Sequence, residues 1–208
     1  MSSPGARAPI SFTRMAGSVA IAVGAGGFAY STAFVIYLHS GSAPAAKLAA
    51  LLLLGGGMLL LVVLVALYER LRTVDPSVAL LAFVTGSVGA AGSAIHGAFD
   101  LANFLHPPGV ANANLPNAVD PRGLMTFAFA GAALLLMAWL IMRGAGLPKA
   151  LGSLGIAGGV LLILIYVGRL TILNPKNPAL LTIAVVSGFV VNPVWFVWLG
   201  LSLRRDTS

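Results

Sequence analysis

The stretch "LAALLLLGGGMLLLVVLVALY", residues 48–68, carries no charged side chain along its whole length. An α-helix needs about 20 predominantly apolar residues to cross the hydrocarbon core of a bilayer. The stretch therefore predicts a transmembrane helix. Five other apolar runs of comparable length predict five more, and we expect spans at about 16–38, 47–68, 77–105, 123–142, 149–170 and 178–203.

The composition supports a protein that lies almost entirely in the membrane. Of 208 residues, 59% are hydrophobic and 8% are charged, whereas a soluble domain has about 25% charged residues. We expect an all-α fold, an integral membrane bundle of six transmembrane helices whose main partner is the lipid bilayer. The net charge of +7 is spread over short loops, which argues against a nucleic-acid partner. The chain has no cysteine, which excludes disulfides and thiolate metal sites.

The basic residues predict how the chain is threaded, because short cytoplasmic loops are enriched in lysine and arginine. With the N-terminus inside, eight of the 12 lysines and arginines fall on the inner side and four on the outer side. The inner set is Arg7, Arg14, Arg70, Arg72, Arg143, Lys149, Arg204 and Arg205, and the outer set is Lys47, Arg122, Arg169 and Lys176. We therefore expect a multi-pass plasma-membrane protein with both termini in the cytoplasm.

The third span ends in the stretch "GSAIHGAFDLANFLHPP", residues 92–108, which concentrates the polar chemistry of the chain. At about 100° per residue, small and polar residues fall within an arc of about 120° of one helix face. This face contains Gly89, Ser93, His96, Gly97, Asp100 and Asn103. Small residues four apart let another helix approach closely, so we expect the polar side chains to point into the bundle.

Charged groups on other spans should meet this face near the outer surface. Arg169 should lie at a depth similar to that of Asp100, so the two could form an ion pair between the third and fifth helices. His39 ends the first helix at the same level. The sequence thus gives His96, Asp100, Asn103, Arg169 and His39 as candidate ligand-binding residues.

Metal and haem sites are alternatives that the residue types allow. His96 and Asp100 are four apart on one helix, and His106 or Asp120 could add a ligand. Zinc needs three or four such groups in a tetrahedral array, and a haem could use His39 and His96 as its two axial ligands. No established signature accompanies these residues, so neither a metal nor any other cofactor is favoured.

Two further features bear on function. Residues 106–122, "HPPGVANANLPNAVDPR", contain four prolines and no apolar period, which predicts a polar outer loop. In the sixth span, Pro193 should kink the helix, and Asn192 lies near the middle of the membrane. Asn192 is therefore a candidate contact for a substrate or ligand, and Pro193 is a candidate hinge.

Several motifs punctuate the six spans: "YERLR", "HGAFDLANFLHPP", "VDPRGLMTFAFAG", "YVGRL" and "NPVWFVWLG". With this layout, the chain resembles uncharacterised six-helix bacterial membrane proteins known as domains of unknown function. The resemblance covers most of the chain, and it implies a fold but no activity.

Three functions are compatible with these observations. The leading hypothesis is a non-enzymatic protein, either a structural subunit with a membrane-protein partner or a binder of a lipid-like or small apolar ligand between the third, fifth and sixth helices. The second is a membrane enzyme that uses His96 and Asp100, with or without a metal or haem. The third is a small transporter hinged at Pro193.

Overall fold

The computed structural model describes residues 12–106, 120–172, 174 and 177–205. Within them the chain forms six long helices and no strand. We number these helices α1 (Phe12–Ser40), α2 (Ala43–Leu71), α3 (Pro76–Leu105), α4 (Pro121–Met142), α5 (Lys149–Thr171) and α6 (Pro178–Arg205). Arg7, Lys176 and most of the predicted loop 106–122 lie outside the described residues.

All six helices are long and apolar enough to cross a membrane, which confirms the predicted fold class. Many large apolar side chains remain exposed on the outside of the bundle, among them Leu51, Leu81 and Val190, each more than half exposed. An apolar surface of this extent fits lipid and not water. The orientation of the termini stays a prediction.

Successive helices pack side by side, and α1 also packs on α6, so that the bundle closes into a ring. Small residues make the close contacts. A Cβ on Gly97 would collide with the backbone of Leu54 and Ala50 in α2, whereas a Cβ on Gly89 would lie 2.9 Å from the side chain of Ala130 in α4. The predicted small-residue face of α3 is thus shared between α2 and α4.

The bundle has two different ends. At the terminal end, where α1 begins and α6 ends, large apolar side chains are fully buried, among them Leu71, Ile141 and Leu203. The opposite end, where α3 ends and α4 begins, we call the loop end. It holds the polar side chains that the sequence singled out.

Two helices contain a π-helical segment. In α4 the segment Leu124–Phe129 follows a short 3₁₀ turn at Pro121–Gly123, so that α4 begins slightly before the predicted residue 123. In α6 the segment Ser187–Val191 directly precedes Pro193. Such wide turns are rare and are frequent at functional sites.

Candidate functional site

Asp120 lies directly before α4, outside the small and polar face of α3, and its carboxylate makes several hydrogen bonds at the loop end. Its carboxylate is 1% exposed. One oxygen, Oδ1, accepts the backbone N–H of Met125 at 2.7 Å, and Oδ2 accepts the N–H and the hydroxyl of Thr126 at 3.2 and 2.7 Å. The first turn of a helix leaves its N–H groups without partners, so Asp120 satisfies the start of α4 with a negative charge where the helix dipole favours one.

His96 extends this arrangement from α4 to α3. Its Nδ1 lies 3.8 Å from Oδ2 of Asp120. That distance is too long for a hydrogen bond, but it allows an ion pair when the imidazole is protonated. The His96 side chain is only 18% exposed, so the residue points into the bundle as the helix geometry predicted.

Arg169 enters the same region from α5. Its guanidinium carbon lies 5.3 Å from the centre of the Phe127 ring, within the range of a cation–π contact. A Cβ on Gly123 would lie 3.2 Å from Nη1 of Arg169, and Gly123 has a φ of 83°, which favours glycine. Glycine at this position therefore leaves the space that the guanidinium occupies, while Asp120 attracts it electrostatically.

The predicted ion pair between Asp100 and Arg169 is wrong. Among the described residues, no carboxylate lies within 4 Å of Arg169, and the electrostatic attraction that acts on it comes from Asp120. Asp100 interacts with His96, one helical turn away on the same helix. Both charged groups act on the Tyr30 hydroxyl of α1, so Asp100 and Arg169 belong to one cluster without direct pairing. We define the loop-end cluster as Tyr30, His96, Asp100, Asp120, Arg122 and Arg169.

Tyr30 also lines a cavity between α1, α2, α3 and α6, with a volume of about 150 Å³. The cavity is mostly apolar, with Ser93 and Asn192 as its other polar lining side chains. Its wall includes Gly27 and Gly56, where an added Cβ would meet open space. The location differs from the predicted one between the third, fifth and sixth helices, because α3 packs mainly on α2 and α4.

The α6 segment beside this cavity has its own polar contacts. Pro193 has no N–H to donate, so the carbonyl groups one turn earlier lose their usual partner. The π-helical segment Ser187–Val191 precedes this proline. The Ser31 hydroxyl of α1 lies within hydrogen-bond distance of two carbonyls, that of Gly27 in its own helix at 3.0 Å and that of Gly188 in α6 at 3.2 Å. Asn192 donates from Nδ2 to the Ser187 hydroxyl at 3.3 Å, so its hydrogen bond stays within its own helix.

The remaining candidates lie farther from the cluster. His39 is exposed at the end of α1, where its Nδ1 lies 2.9 Å from the carbonyl oxygen of Val35. His106 is exposed at the end of α3, and Asn103 is half-buried one turn earlier. Among the described residues, no three histidine or carboxylate side chains form a metal-binding group, so the structure does not assemble His96, Asp100 and His106 as a ligand set.

Sequence reasoning missed Tyr30 and Arg122 as parts of the cluster, and Thr126 as the partner of Asp120. An aspartate before a proline and a glycine, as in "DPRG" at 120–123, is a helix-start pattern that could have identified Asp120 as a cap. Tyr30 has no such signal, because one tyrosine in an apolar span does not reveal which neighbour it faces.

The six helices and their apolar surface define a polytopic α-helical membrane protein. Within that class the chain belongs to DUF4386, a domain of unknown function whose family profile matches residues 39–201. The resemblance to an uncharacterised membrane family is thereby confirmed. The match includes every cluster residue except Tyr30, which precedes it in α1. The comparison with curated proteins finds no match, and neither does the comparison with solved structures.

Proposed function

We propose that this protein binds a lipid-like ligand whose apolar part occupies the cavity between α1, α2, α3 and α6. One observation carries the proposal: a cavity of about 150 Å³ with an apolar wall and three polar lining side chains, Tyr30, Ser93 and Asn192. Binding pockets for small molecules are mostly apolar with a few polar groups that orient the ligand. A cavity of about this volume holds a group the size of benzene.

The length of the cavity favours a short alkyl segment. Its lining on α1 runs from Val23 to Tyr30, and seven residues of helix rise about 10 Å. Tyr30 is the lining residue of α1 nearest the loop end, and Asp100 and Arg169 act on its hydroxyl electrostatically. The cavity is mostly apolar along its length and has charged groups near one end. A ligand with a short alkyl chain and a polar head matches this arrangement.

A binding role fits the cluster better than a catalytic one. Both oxygens of Asp120 already accept hydrogen bonds from the start of α4, and the Ser93 hydroxyl donates to the carbonyl of Gly89 in its own helix. A nucleophile and its base normally lie within hydrogen-bond reach of each other. The enzyme and the transporter hinged at Pro193 stay predictions from the sequence.

The test uses photoreactive octanol, an eight-carbon alcohol with a diazirine near its methyl end, and the protein in lipid nanodiscs. Gly56→Leu and Gly27→Leu add side chains into the cavity. Gly55→Leu and Gly26→Leu are matched controls, because a Cβ there also meets open space but neither residue lines the cavity. We expect the first pair to lower labelling about tenfold, the effect of about 1.4 kcal/mol, and the controls to leave it unchanged. Equal labelling of all four variants would exclude a ligand in this cavity.

The orientation is part of the same proposal: both termini lie in the cytoplasm and the loop end faces outward from the plasma membrane. The excess of lysine and arginine on the terminal side supports it. Because the chain has no cysteine, single variants at exposed loop positions can be labelled cleanly. A membrane-impermeant maleimide should modify Ser40→Cys and not Thr73→Cys in intact cells, and the reverse pattern would contradict this orientation.

A further inference from the structure

Arg169 is the cationic, half-buried member of the loop-end cluster with the largest number of hydrogen-bond donors, and among the described residues these donors have no acceptor. Its guanidinium carries five N–H donors. Among residues 12–106, 120–172, 174 and 177–205, the guanidinium of Arg169 has no hydrogen bond and no ion pair, and it stacks on the ring of Phe127. The side chain is half-buried near the end of α5. An arginine in a membrane-spanning helix is costly and is a functional hypothesis by default.

The nearby negative charge of Asp120 stabilises the charged form of Arg169 without a hydrogen bond between them among the described residues. Asp120 attracts Arg169 electrostatically, but its oxygens already accept three hydrogen bonds from Met125 and Thr126. Gly123 and Phe127 support the guanidinium from the side of α4. The arginine is therefore positioned in advance, with its donors available for a bound group.

A second arginine adds positive charge at this site. Arg122 repels Arg169 electrostatically, although it is exposed. Its backbone has a φ of 56°, a left-handed conformation that is uncommon for residues other than glycine. Such outliers cluster at ligand-binding sites, where the surrounding structure maintains them. An anion between two guanidinium groups would remove their mutual repulsion and accept charge-assisted hydrogen bonds.

We propose that Arg169, assisted by Arg122, binds the anionic group, a carboxylate or phosphate, of the amphiphile whose chain enters the cavity. Tyr30 links the two regions, because it lines the cavity and lies in the electrostatic field of Arg169. The inference rests on the proposed function, since it names the head group of the same ligand. Asp100 also acts on Tyr30, and its negative charge weakens the binding of an anion.

The test compares three photoreactive probes with the same eight-carbon chain and different heads: octanoate, octanol and octylamine. Arg169→Gln should lower octanoate labelling about tenfold, the size expected for one charge-assisted hydrogen bond, and leave octanol labelling unchanged. Arg169→Lys should retain part of the effect. Asp100→Asn should raise octanoate labelling about threefold, within the range for removing one like charge at a hydrated site. Arg143→Gln, an arginine stacked on Trp139 at the terminal end, is the control.

The outcomes separate this inference from the proposed function. If Gly56→Leu abolishes labelling by all three probes and Arg169→Gln changes none, the cavity binds a ligand but the anion subsite is wrong. If Arg169→Gln lowers octanoate labelling and Gly56→Leu does not, the subsite stands and the cavity proposal fails. Higher labelling by octylamine than by octanoate, reduced in Asp100→Asn, would overturn the subsite in favour of a cation.

Competition with inorganic phosphate distinguishes an acidic group carried on a lipid chain from a free anion. Excess inorganic phosphate should leave octanoate labelling intact when the acidic group must arrive on a lipid chain. Displacement of octanoate by phosphate in the wild-type protein, lost in Arg169→Gln, would show that the same subsite also accepts a free anion. A cooperative thermal unfolding transition is required of each variant, so that labelling is compared only between folded proteins.

Discussion

The two ends of this bundle are built from similar helices but differ in their side-chain contacts. At the terminal end, Trp195 is 2% exposed and its indole N–H donates to the Leu151 carbonyl at 3.1 Å. Arg70 there donates to the carbonyls of Ala145 and Gly146 at 2.8 and 2.7 Å, closing the turn between α4 and α5. At the loop end, the polar groups meet without direct ion pairs within 3.5 Å among the described cluster residues.

This difference indicates that one end stabilises the fold and the other provides groups for binding. Large side chains that interlock at native packing density stabilise the fold and resist any change of shape. Charges that meet without direct ion pairs contribute little stability, because their desolvation offsets their attraction. The hydrogen bonds of the buried Asp120 to the start of α4 are the exception. We infer that the terminal end holds the bundle together, and that the loop end is free to keep groups such as Arg169 available for a ligand.

Replacing Trp195 should give the largest loss of stability. Trp195→Ala removes a buried aromatic side chain and its hydrogen bond to Leu151, so the free energy of unfolding should fall by about 3–5 kcal/mol. Leu201→Ala is the control on the same helix, because Leu201 is 42% exposed. SDS titration in mixed micelles measures both variants. A loss at Trp195 no greater than that at Leu201 would contradict the stabilising role of the terminal end.

Much of this end, and of the fold, was predictable from the sequence. Apolar length alone predicts six helices, since every backbone polar group in lipid must be satisfied internally. The rotation of each helix was harder to predict. Helices surrounded by lipid and by other helices are apolar on all sides, so they lack the amphipathic stripe that defines a buried face. This is why α3, with its small and polar row, was oriented correctly, whereas Tyr30 in α1 was not connected to it.

The candidate site was predicted in part for the same reason. His96 and Asp100 share a helix, so their relation follows from the 3.6-residue period. The contact of Arg169 with α4 depends on the rotation of α5 and on the π-helical start of α4, which no periodic pattern encodes. The sequence therefore assigned Arg169 the wrong partner.

Removing Asp120 should have the next largest effect, at the loop end. Asp120→Ala leaves the N–H groups of Met125 and Thr126 without their acceptors, which should cost about 2–3 kcal/mol because the site is buried. Asp120→Asn keeps one carbonyl acceptor and should lose less. Asp75→Ala, which removes a more exposed cap at the start of α3, should cost about 1 kcal/mol. A smaller loss at Asp120 than at Asp75 would refute the buried cap.

A smaller effect is expected where α1 meets α6. Ser31→Ala removes a hydroxyl that bonds to the Gly27 carbonyl of its own helix and to the Gly188 carbonyl of α6, and should destabilise the protein by about 1 kcal/mol. Thr32→Ala is the matched control, because its hydroxyl bonds only to Phe28 in its own exposed turn. If the two variants unfold alike by SDS titration, the contact between α1 and the π-helical segment contributes nothing.

The cavity between α1, α2, α3 and α6, near the middle of the bundle, is the proposed ligand site. Mass spectrometry of the wild-type protein after labelling with photoreactive octanol tests it most directly. We predict adducts concentrated on the cavity lining that α1, α2 and α6 share, at the end farther from Tyr30, including Val23, Leu60 and Phe196. Adducts spread evenly over exposed apolar side chains such as Leu81 and Val190, with none in the cavity, would contradict a ligand site between α1, α2, α3 and α6.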